Sequence, residues 1–570
     1  MGVNGEREPI VQVSGLGYRY RGQKEAALRG VDLEVGEGEF VVVMGPSGAG
    51  KSTFCVSLNG LVPHFFRGRM EGEVKIRGRS TRDSKVGEFT REVGLVFQDF
   101  EAQLFSTNVE LEVAFGPENF QVEHEEMVRR VRNALEWVRL EGFEGRQPAT
   151  LSGGQKQRLA IASVLAMEPR ILCLDEPTTD LDPTGKLGVF EVAEELRNRD
   201  DVTLVVVEHE TEETLDADRI VVLKDGVVVR DGSAREVLRD VELLEGAGVM
   251  PLQVTRYFHE LDLGEQLPLT PEEGIEEFRR RGLEVSLERH EELVEVDRER
   301  EESYGEPIIQ VEGLTYRYPN DVVALEGVDL TVRQGEFLAV LGQNGSGKTT
   351  LVKHFNGLLK PTEGVVKIGG VETVKQGIRR LGQRVGYVFQ NPDHQIFSDT
   401  VFDEVAFGPK IREMEENEIE NRVSEALAAV GLEGRGSEDP FTLTKGERQR
   451  VAVASVLAVR PEVLILDEPT TGLDYAEQKR MMELVERLNE EGSTIIVVTH
   501  TMWVVAEYAH RAVVVRDGQV TLRGTVREVF AEEEELREAS LRPPHIVSFS
   551  NSLEVPVLSV EEMLRVTEGG

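Results

Sequence analysis

Short apolar runs punctuate the chain at 40–44 (FVVVM), 171–174 (ILCL) and 202–207 (VTLVVV), and again at 337–341 (FLAVL), 464–466 (LIL) and 495–498 (IIVV). Runs of this length, closed by glycine or by acids, predict buried strands. Helix-forming stretches such as 156–166 (KQRLAIASVLA) separate them. The alternation predicts an α/β core in each half of the chain.

The two halves repeat one another. GPSGAGKST at 45–53 and GQNGSGKTT at 342–350 both fit G-x-x-x-x-G-K-[ST], each directly after an apolar run. Glycines there let backbone N–H groups curl around phosphates, the lysine reaches those phosphates, and the Ser/Thr hydroxyl suits Mg²⁺. A helix is expected to open at Lys51 and at Lys348, with its positive dipole end on the anion. Lys51 and Lys348 are 297 residues apart, Asp175 and Asp467 are 292 apart, and His209 and His500 are 291 apart. Even GVMPLQV at 248–254 is echoed by LRPPHIV at 541–547. A fixed offset of this kind marks a tandem domain. The expected division is a first core at 1–235, a helical extension and acidic linker at 236–305, a second core at 306–525 and a C-terminal extension at 526–570. The acidic run at 288–302 is expected to be a solvated tether following an extension of the first core.

The residues of each loop expected to hold nucleotide are Gly45, Ser47, Gly48, Gly50, Lys51, Ser52 and Thr53, and Gly342, Asn344, Gly345, Gly347, Lys348, Thr349 and Thr350. Each ILCL/LIL run ends in two acids followed by Pro-Thr-Thr, Asp175-Glu176 and Asp467-Glu468. The first acid is placed to hold Mg²⁺ with Ser52 or Thr349, and the second to orient or deprotonate an attacking water. His209 and His500, ending matched strands, are expected γ-phosphate contacts. Gln98 and Gln390, after VGLVFQ and VGYVFQ, are placed to reach both the metal and the water. Tyr20 and Tyr318 offer rings on which an adenine can stack.

Composition sets the surroundings. With 40% apolar and 30% charged residues, the chain reads as globular. Its two cysteines, Cys55 and Cys173, cannot build a disulfide framework or an iron–sulfur site, which points to a reducing compartment. MGVNGEREPI at the start has no apolar segment of a secretion signal, and no stretch approaches the roughly 20 apolar residues of a membrane span. Acids outnumber bases by 104 to 65, giving a net charge of −39, which works against a nucleic-acid ligand.

Leu151-Ser152-Gly153-Gly154-Gln155 places a glycine-rich turn before a helix N-terminus, again suited to an anion. With the loops, acids, glutamines and histidines it resembles the signature of ABC ATPases. The chain is similar to a tandem pair of ABC nucleotide-binding domains, each implied to have a P-loop NTPase fold with a helical subdomain. In that family the signature of one domain completes the site on the loop of the other, so that ATP is sandwiched. The second copy departs: Leu443-Thr444-Lys445-Gly446-Glu447 has threonine for serine and lysine for the first glycine. By the family's cross-pairing Thr444 and Gly446 face the loop of Lys51, while Ser152, Gly153 and Gly154 face the loop of Lys348. The second loop's site is therefore expected to do most of the hydrolysis.

The stretches after Gln98 and Gln390, VAFGPENF at 113–120 and VAFGPKI at 405–411, together with LVPHFFRGRMEGEV at 61–74, resemble the ATPases of energy-coupling factor importers. That resemblance implies ATP and Mg²⁺ as cofactors and a vitamin, vitamin precursor or transition-metal ion as cargo. It also implies a membrane-embedded coupling (T) component and a substrate-capture (S) component as partners. The expected location is the cytoplasmic face of the membrane, with membrane contact only through those partners. A soluble twin ATPase acting on ribosomes is the alternative, and the acidic linker and missing cysteine cluster argue against it.

Overall fold

The apolar runs become the central strands of two six-stranded sheets in a computed structural model of the chain. The structure describes residues 9–179, 181, 183–197, 202–264, 266–319 and 321–568. The start of the first core at 1–8, with most of the leading segment, and the end of the C-terminal extension at 569–570 lie outside the described residues.

Two compact units form, Met1–His259 with Leu263–Leu269, and Glu260–Asp262 with Thr270–Gly570. In the first, the six-stranded sheet runs Val227–Ser233, Arg219–Lys224, Phe40–Met44, Thr203–Val207, Ile171–Asp175, Val93–Val96. All neighbours are parallel except the edge strand Val227–Ser233. The four inner strands carry continuous Val/Ile/Leu runs because both faces are covered, Phe40–Met44 being buried at every position. An antiparallel four-stranded sheet, Leu28–Gly36, Pro9–Tyr20, Gly68–Ile76, Arg79–Ser80, packs beside it. Its strand Pro9–Tyr20 shares one apolar core with Phe40–Met44 and the helix Lys51–Leu58.

The second unit repeats this plan. Its six-stranded sheet is ordered Val385–Val388, Val463–Asp467, Thr494–Val498, Phe337–Leu341, Arg511–Arg516, Gln519–Thr525, and its antiparallel sheet holds Pro307–Arg317 and Val323–Arg333. In each unit three helices are inserted between the edge parallel strand and the strand ending in the acid pair: Val109–Asn119, His124–Trp137 and Gly153–Leu165, and Val401–Ile411, Glu416–Ala429 and Lys445–Leu457. The insertion gives each unit its helical subdomain.

The acidic stretch differs from the expected tether. Residues Leu287–Ser303 form one helix packed on the C-terminal helices of the second unit. Only Leu293 on it is buried, so it is held mainly by polar contacts. Arg527 bonds Asp297 at 2.8 Å and Glu562 at 2.8 Å, and His290 meets the Pro556 carbonyl at 3.0 Å. Just before it, Glu284 and Val285 pair with Glu568 and Thr567, and Phe278 packs edge-on against Phe549. Among the described residues no helix is long and apolar enough to cross a membrane.

Candidate functional site

In each unit the parallel strands deliver their loops to one edge of the sheet, the carboxyl ends where open α/β sheets bind ligands. In the first unit Phe40–Met44 leads into residues 45–50 and then the helix Lys51–Leu58. Gly50 caps that helix at φ 100°, and a Cβ there would lie 2.4 Å from the Ala27 carbonyl, so only glycine fits. Lys51 bends back over its own loop, its Nζ donating to the Gly45 carbonyl at 2.8 Å and the Pro46 carbonyl at 3.0 Å. Lys348 does the same with Gly342 at 2.7 Å and Gln343 at 3.0 Å. Both lysines are buried with their charge at the mouth of a helix N-terminus, a ready anion cradle.

The hydroxyl after each lysine touches the acid ending the neighbouring strand. Ser52 donates to Asp175 Oδ1 at 3.1 Å, and Thr349 to Asp467 Oδ1 at 3.3 Å. Burial pushes the Asp175 carboxyl up to about 6, with the Ser52 bond pulling the other way. Asp467 is raised by burial too, opposed by bonds from Tyr387 and Thr349.

Glu176 and Glu468 both sit at left-handed φ, 50° and 49°, a strained conformation for a non-glycine residue. Such strain persists only where the surroundings enforce it, and it costs about 1 kcal/mol or more. It aims each carboxylate at the histidine from the next strand. His209 Nε2 meets Glu176 Oε1 at 2.6 Å, and His500 Nδ1 meets Glu468 Oε1 at 2.9 Å. For Glu468, burial favours the neutral acid, but His500 and Lys348 outweigh it and hold the carboxyl below its usual range.

The two sites are not equal. Gln98 donates to Glu176 Oε2 at 2.5 Å, and Thr179 reaches the same oxygen at 3.5 Å. Gln390 is exposed and makes no such bond, and Glu468 Oε2 is buried with no hydrogen-bond partner among the described residues. A buried orphan carboxylate oxygen is costly and calls for an explanation. Tyr387 donates to Asp467 Oδ2 at 2.5 Å, where the first unit has Leu95. Glu208, one residue before His209, is a buried carboxylate accepting from Thr178 Oγ1 at 2.7 Å, and Thr499 replaces it in the second unit. Sequence reasoning passed over Tyr387 and Glu208. The comparison VGYVFQ with VGLVFQ, and of EH with TH, carried the signal.

Tyr20 and Tyr318 turn their hydroxyls to Thr53 and Thr350, at 3.1 and 3.0 Å, with their rings edge-on to Tyr18 and Tyr316. Ser152 and Thr444 make no hydrogen bond to the loop of their own unit among the described residues. Each caps its helix reciprocally: Ser152 with Gln155, and Thr444 with Glu447. The serine-to-threonine exchange thus keeps the cap. Lys445 replaces Gly153 at the first helical position, and Gly446 stays buried against Glu477.

Much of this sequence recurs in known proteins. The family model described as ABC transporter matches residues 28–179 and 325–471. A protein of Caldanaerobacter subterraneus subsp. tengcongensis, assigned as an ABC transporter ATP-binding protein, is 58% identical over 98% of this chain and 98% of its own. One from Methanosarcina acetivorans with the same assignment is 39% identical over 99% of this chain and 93% of its own. Among solved structures, cbiO1 from Clostridium perfringens, part of the ABC transporter complex cbiONQ, is 41% identical and covers 42% of this chain and 97% of its own, with a TM-score of 0.38.

Proposed function

This chain belongs to the ABC transporter family, an ATP-binding ATPase with two tandem cassettes, and from that premise we propose that it is the motor subunit of an energy-coupling factor importer. The cargo class is a vitamin, a vitamin precursor or a transition-metal ion. One observation carries the transporter half of this reading. Beside Gln390, a groove of about 380 Å³ is lined by Leu358, Ile378, Phe389, Phe407 and Ile411, all of them exposed. Contiguous exposed apolar surface of this kind marks a docking site, and an apolar helix of a membrane-embedded coupling component fits it. At this groove Phe407 stands edge-on to Phe397 at 4.6 Å, and the first unit has the matching pair Phe105 with Phe115, also at 4.6 Å.

In the mechanism we propose, Lys51 and Lys348 with the backbone of their loops bind the β- and γ-phosphates. Glu468 Oε2, buried and orphaned, accepts a proton from the attacking water, and Glu176 does so in the other site. His500 and His209 hold those carboxylates in place and turn toward the γ-phosphate. The pairs Ser52–Asp175 and Thr349–Asp467 offer hard oxygen donors beside the phosphate loop, which fits Mg²⁺. Mg²⁺ needs few protein ligands when phosphates supply the others, so the absence of a larger His/Cys/Asp/Glu cluster among the described residues is compatible with it. When bound it neutralises charge developing on the phosphates. Ser152 and its glycines are proposed to close over the Lys348 loop, and Thr444 and Gly446 over the Lys51 loop. The Lys348 site is proposed to be the faster of the two, because the proposed pairing gives it the unaltered signature and its carboxylate has an uncommitted oxygen.

Purification of the tagged chain from detergent-solubilised membranes tests the reading. Small apolar membrane proteins are expected to come with it and to change its ATPase rate. Recovery with ribosomes and without membrane proteins would overturn the importer assignment.

A further inference from the structure

The strand carrying Tyr20 has a second face. Arg19 lies directly opposite Arg69 across the antiparallel ladder, and Tyr20 opposite Gly68. The ladder runs one bond further, with the Arg21 N–H donating to the Arg67 carbonyl at 3.0 Å. Side chains directly opposed in such a ladder share a face, and so do residues two apart along a strand. Arg19, Arg21, Arg67 and Arg69 therefore share one face of the ribbon, and all four are exposed. The other face carries Tyr20, whose hydroxyl touches Thr53 on the phosphate-loop helix. Gly68 is needed between the arginines, since a Cβ there would lie 2.4 Å from the Tyr18 hydroxyl.

This cluster is uneconomical for an isolated acidic protein. Acids outnumber bases by 104 to 65 along the chain, yet among the described residues only Arg69 of the four has a carboxylate partner, Glu71 at 3.1 Å. Four guanidinium groups at neighbouring ladder positions repel one another, and Arg19, Arg21 and Arg67 have no ion pair among the described residues. The second unit lacks the feature. Its matching segments read Arg317-Tyr318-Pro319 and, by the ladder register, Leu359-Lys360-Pro361, so the shared phosphate chemistry does not require it. Immediately before Arg67, Phe65 and Phe66 stand out, 71% and 37% exposed, with rings edge-on at 5.1 Å. The Tyr18 hydroxyl donates to the Phe66 carbonyl at 2.5 Å and fixes the base of this tip.

We propose that this arginine face and the Phe65–Phe66 tip form a site for an anionic phospholipid surface. Arginines provide the attraction to phosphate headgroups, and the two rings seat at the boundary between headgroups and acyl chains. A soluble phosphate would leave the rings unexplained. A single-stranded nucleic acid would stack on ring faces along a basic groove, whereas these rings stand at 88° to one another on a chain of net charge −39. The inference rests on the reading of the chain as a peripheral membrane subunit and adds a direct lipid contact, where the sequence resemblance implied contact through partners alone.

Vesicle flotation with the full chain tests it. Vesicles of one part phosphatidylglycerol to two parts phosphatidylcholine are expected to carry the protein at low salt, and pure phosphatidylcholine vesicles are not. Replacing all four arginines (R19Q, R21Q, R67Q and R69Q together) is expected to cut the bound fraction by roughly tenfold or more, as is about 0.5 M salt, which shortens the screening length. F65S with F66S is expected to weaken binding at a given charge, with ATPase activity in solution unchanged in both variants. Equal flotation of wild type and the four-arginine variant, or no flotation on anionic vesicles, would overturn the lipid site. Preferential retention of RNA over anionic vesicles, or loss of flotation in inorganic phosphate but not in chloride of equal ionic strength, would overturn it too. If flotation fails while the chain still co-purifies with membrane proteins, the importer reading stands alone. If co-purification fails as well, that reading falls with it.

Discussion

Tyr387 donates its phenolic proton to Asp467 at 2.5 Å, and no equivalent bond reaches Asp175, because Leu95 occupies the matching place. The two carboxylates sit at the same point of the same fold with different support. Burial raises the phenol's own pKa, which keeps Tyr387 a donor throughout the useful pH range. Tyr387→Phe removes an influence that lowers the Asp467 pKa, so Asp467 is expected to hold its proton to higher pH. Mg²⁺-dependent nucleotide binding at the second site should then weaken more on acidification than in the unsubstituted protein, and recover as rising pH ionises the carboxyl. Titration of labelled nucleotide across pH in a K51A background reads this out. A profile identical to that of the unsubstituted Tyr387 protein would contradict it.

Glu208 links stability to pH. Burial pushes its carboxyl from 4.5 up to about 7, with Thr178 and His209 pulling down, Glu210 pushing up and Lys186 pulling down. The folded state therefore holds a proton that the unfolded chain has released. The contribution is fully present below 4.5 and is lost as pH rises through about 7. Glu208→Gln keeps an acceptor for Thr178 and removes the charge. It is expected to raise the melting temperature at pH 8 by several degrees and to leave it nearly unchanged at pH 5. Equal shifts at both pH values would show that the carboxylate is ionised and well solvated in the fold.

Arg527 fastens the C-terminal helices to the acidic helix. It is 5% exposed and bonds Asp297, Glu562 and the Pro556 carbonyl, at 2.8, 2.8 and 2.9 Å. Arg527→Ala is expected to cost about 3 kcal/mol, since it strands two partly buried carboxylates. Protease cleavage between 288 and 302 should appear earlier than cleavage elsewhere in the second unit. Unchanged stability and digestion would mean that the helix is held by something other than this ion cluster.

Much of the site was legible because its chemistry imposes sequence. The loop needs glycines at positive φ, the strands ending in Asp-Glu need continuous apolar runs, and the caps need Ser or Thr with Gln or Glu three residues on. Each leaves a short local pattern, and duplication confirms it. What escaped depends on contacts far apart in sequence. Tyr387 lies 80 positions from Asp467, and Arg527 lies 230 positions from Asp297. The sequence of Leu287–Ser303 predicts a tether because it has no apolar stripe; Leu293 is its one buried residue, and polar partners in the last 45 residues hold it. The pairing of Glu284 and Val285 with Glu568 and Thr567 is two residues long and carries no periodic signal. Gln390 matches Gln98 in sequence but not in contact, since a glutamine side chain on an exposed loop has several positions open to it.

Steady-state ATPase rates of Glu176→Gln, Glu468→Gln and the double substitution test the central claim most directly, that these two carboxylates are the general bases of two unequal sites. The double variant is expected to lose on the order of 10²–10⁴ in rate while still binding nucleotide, and Glu468→Gln alone to account for most of that loss. A double variant that hydrolyses ATP at the wild-type rate would contradict the assignment of both bases, and greater damage from Glu176→Gln would reverse the order of the two sites.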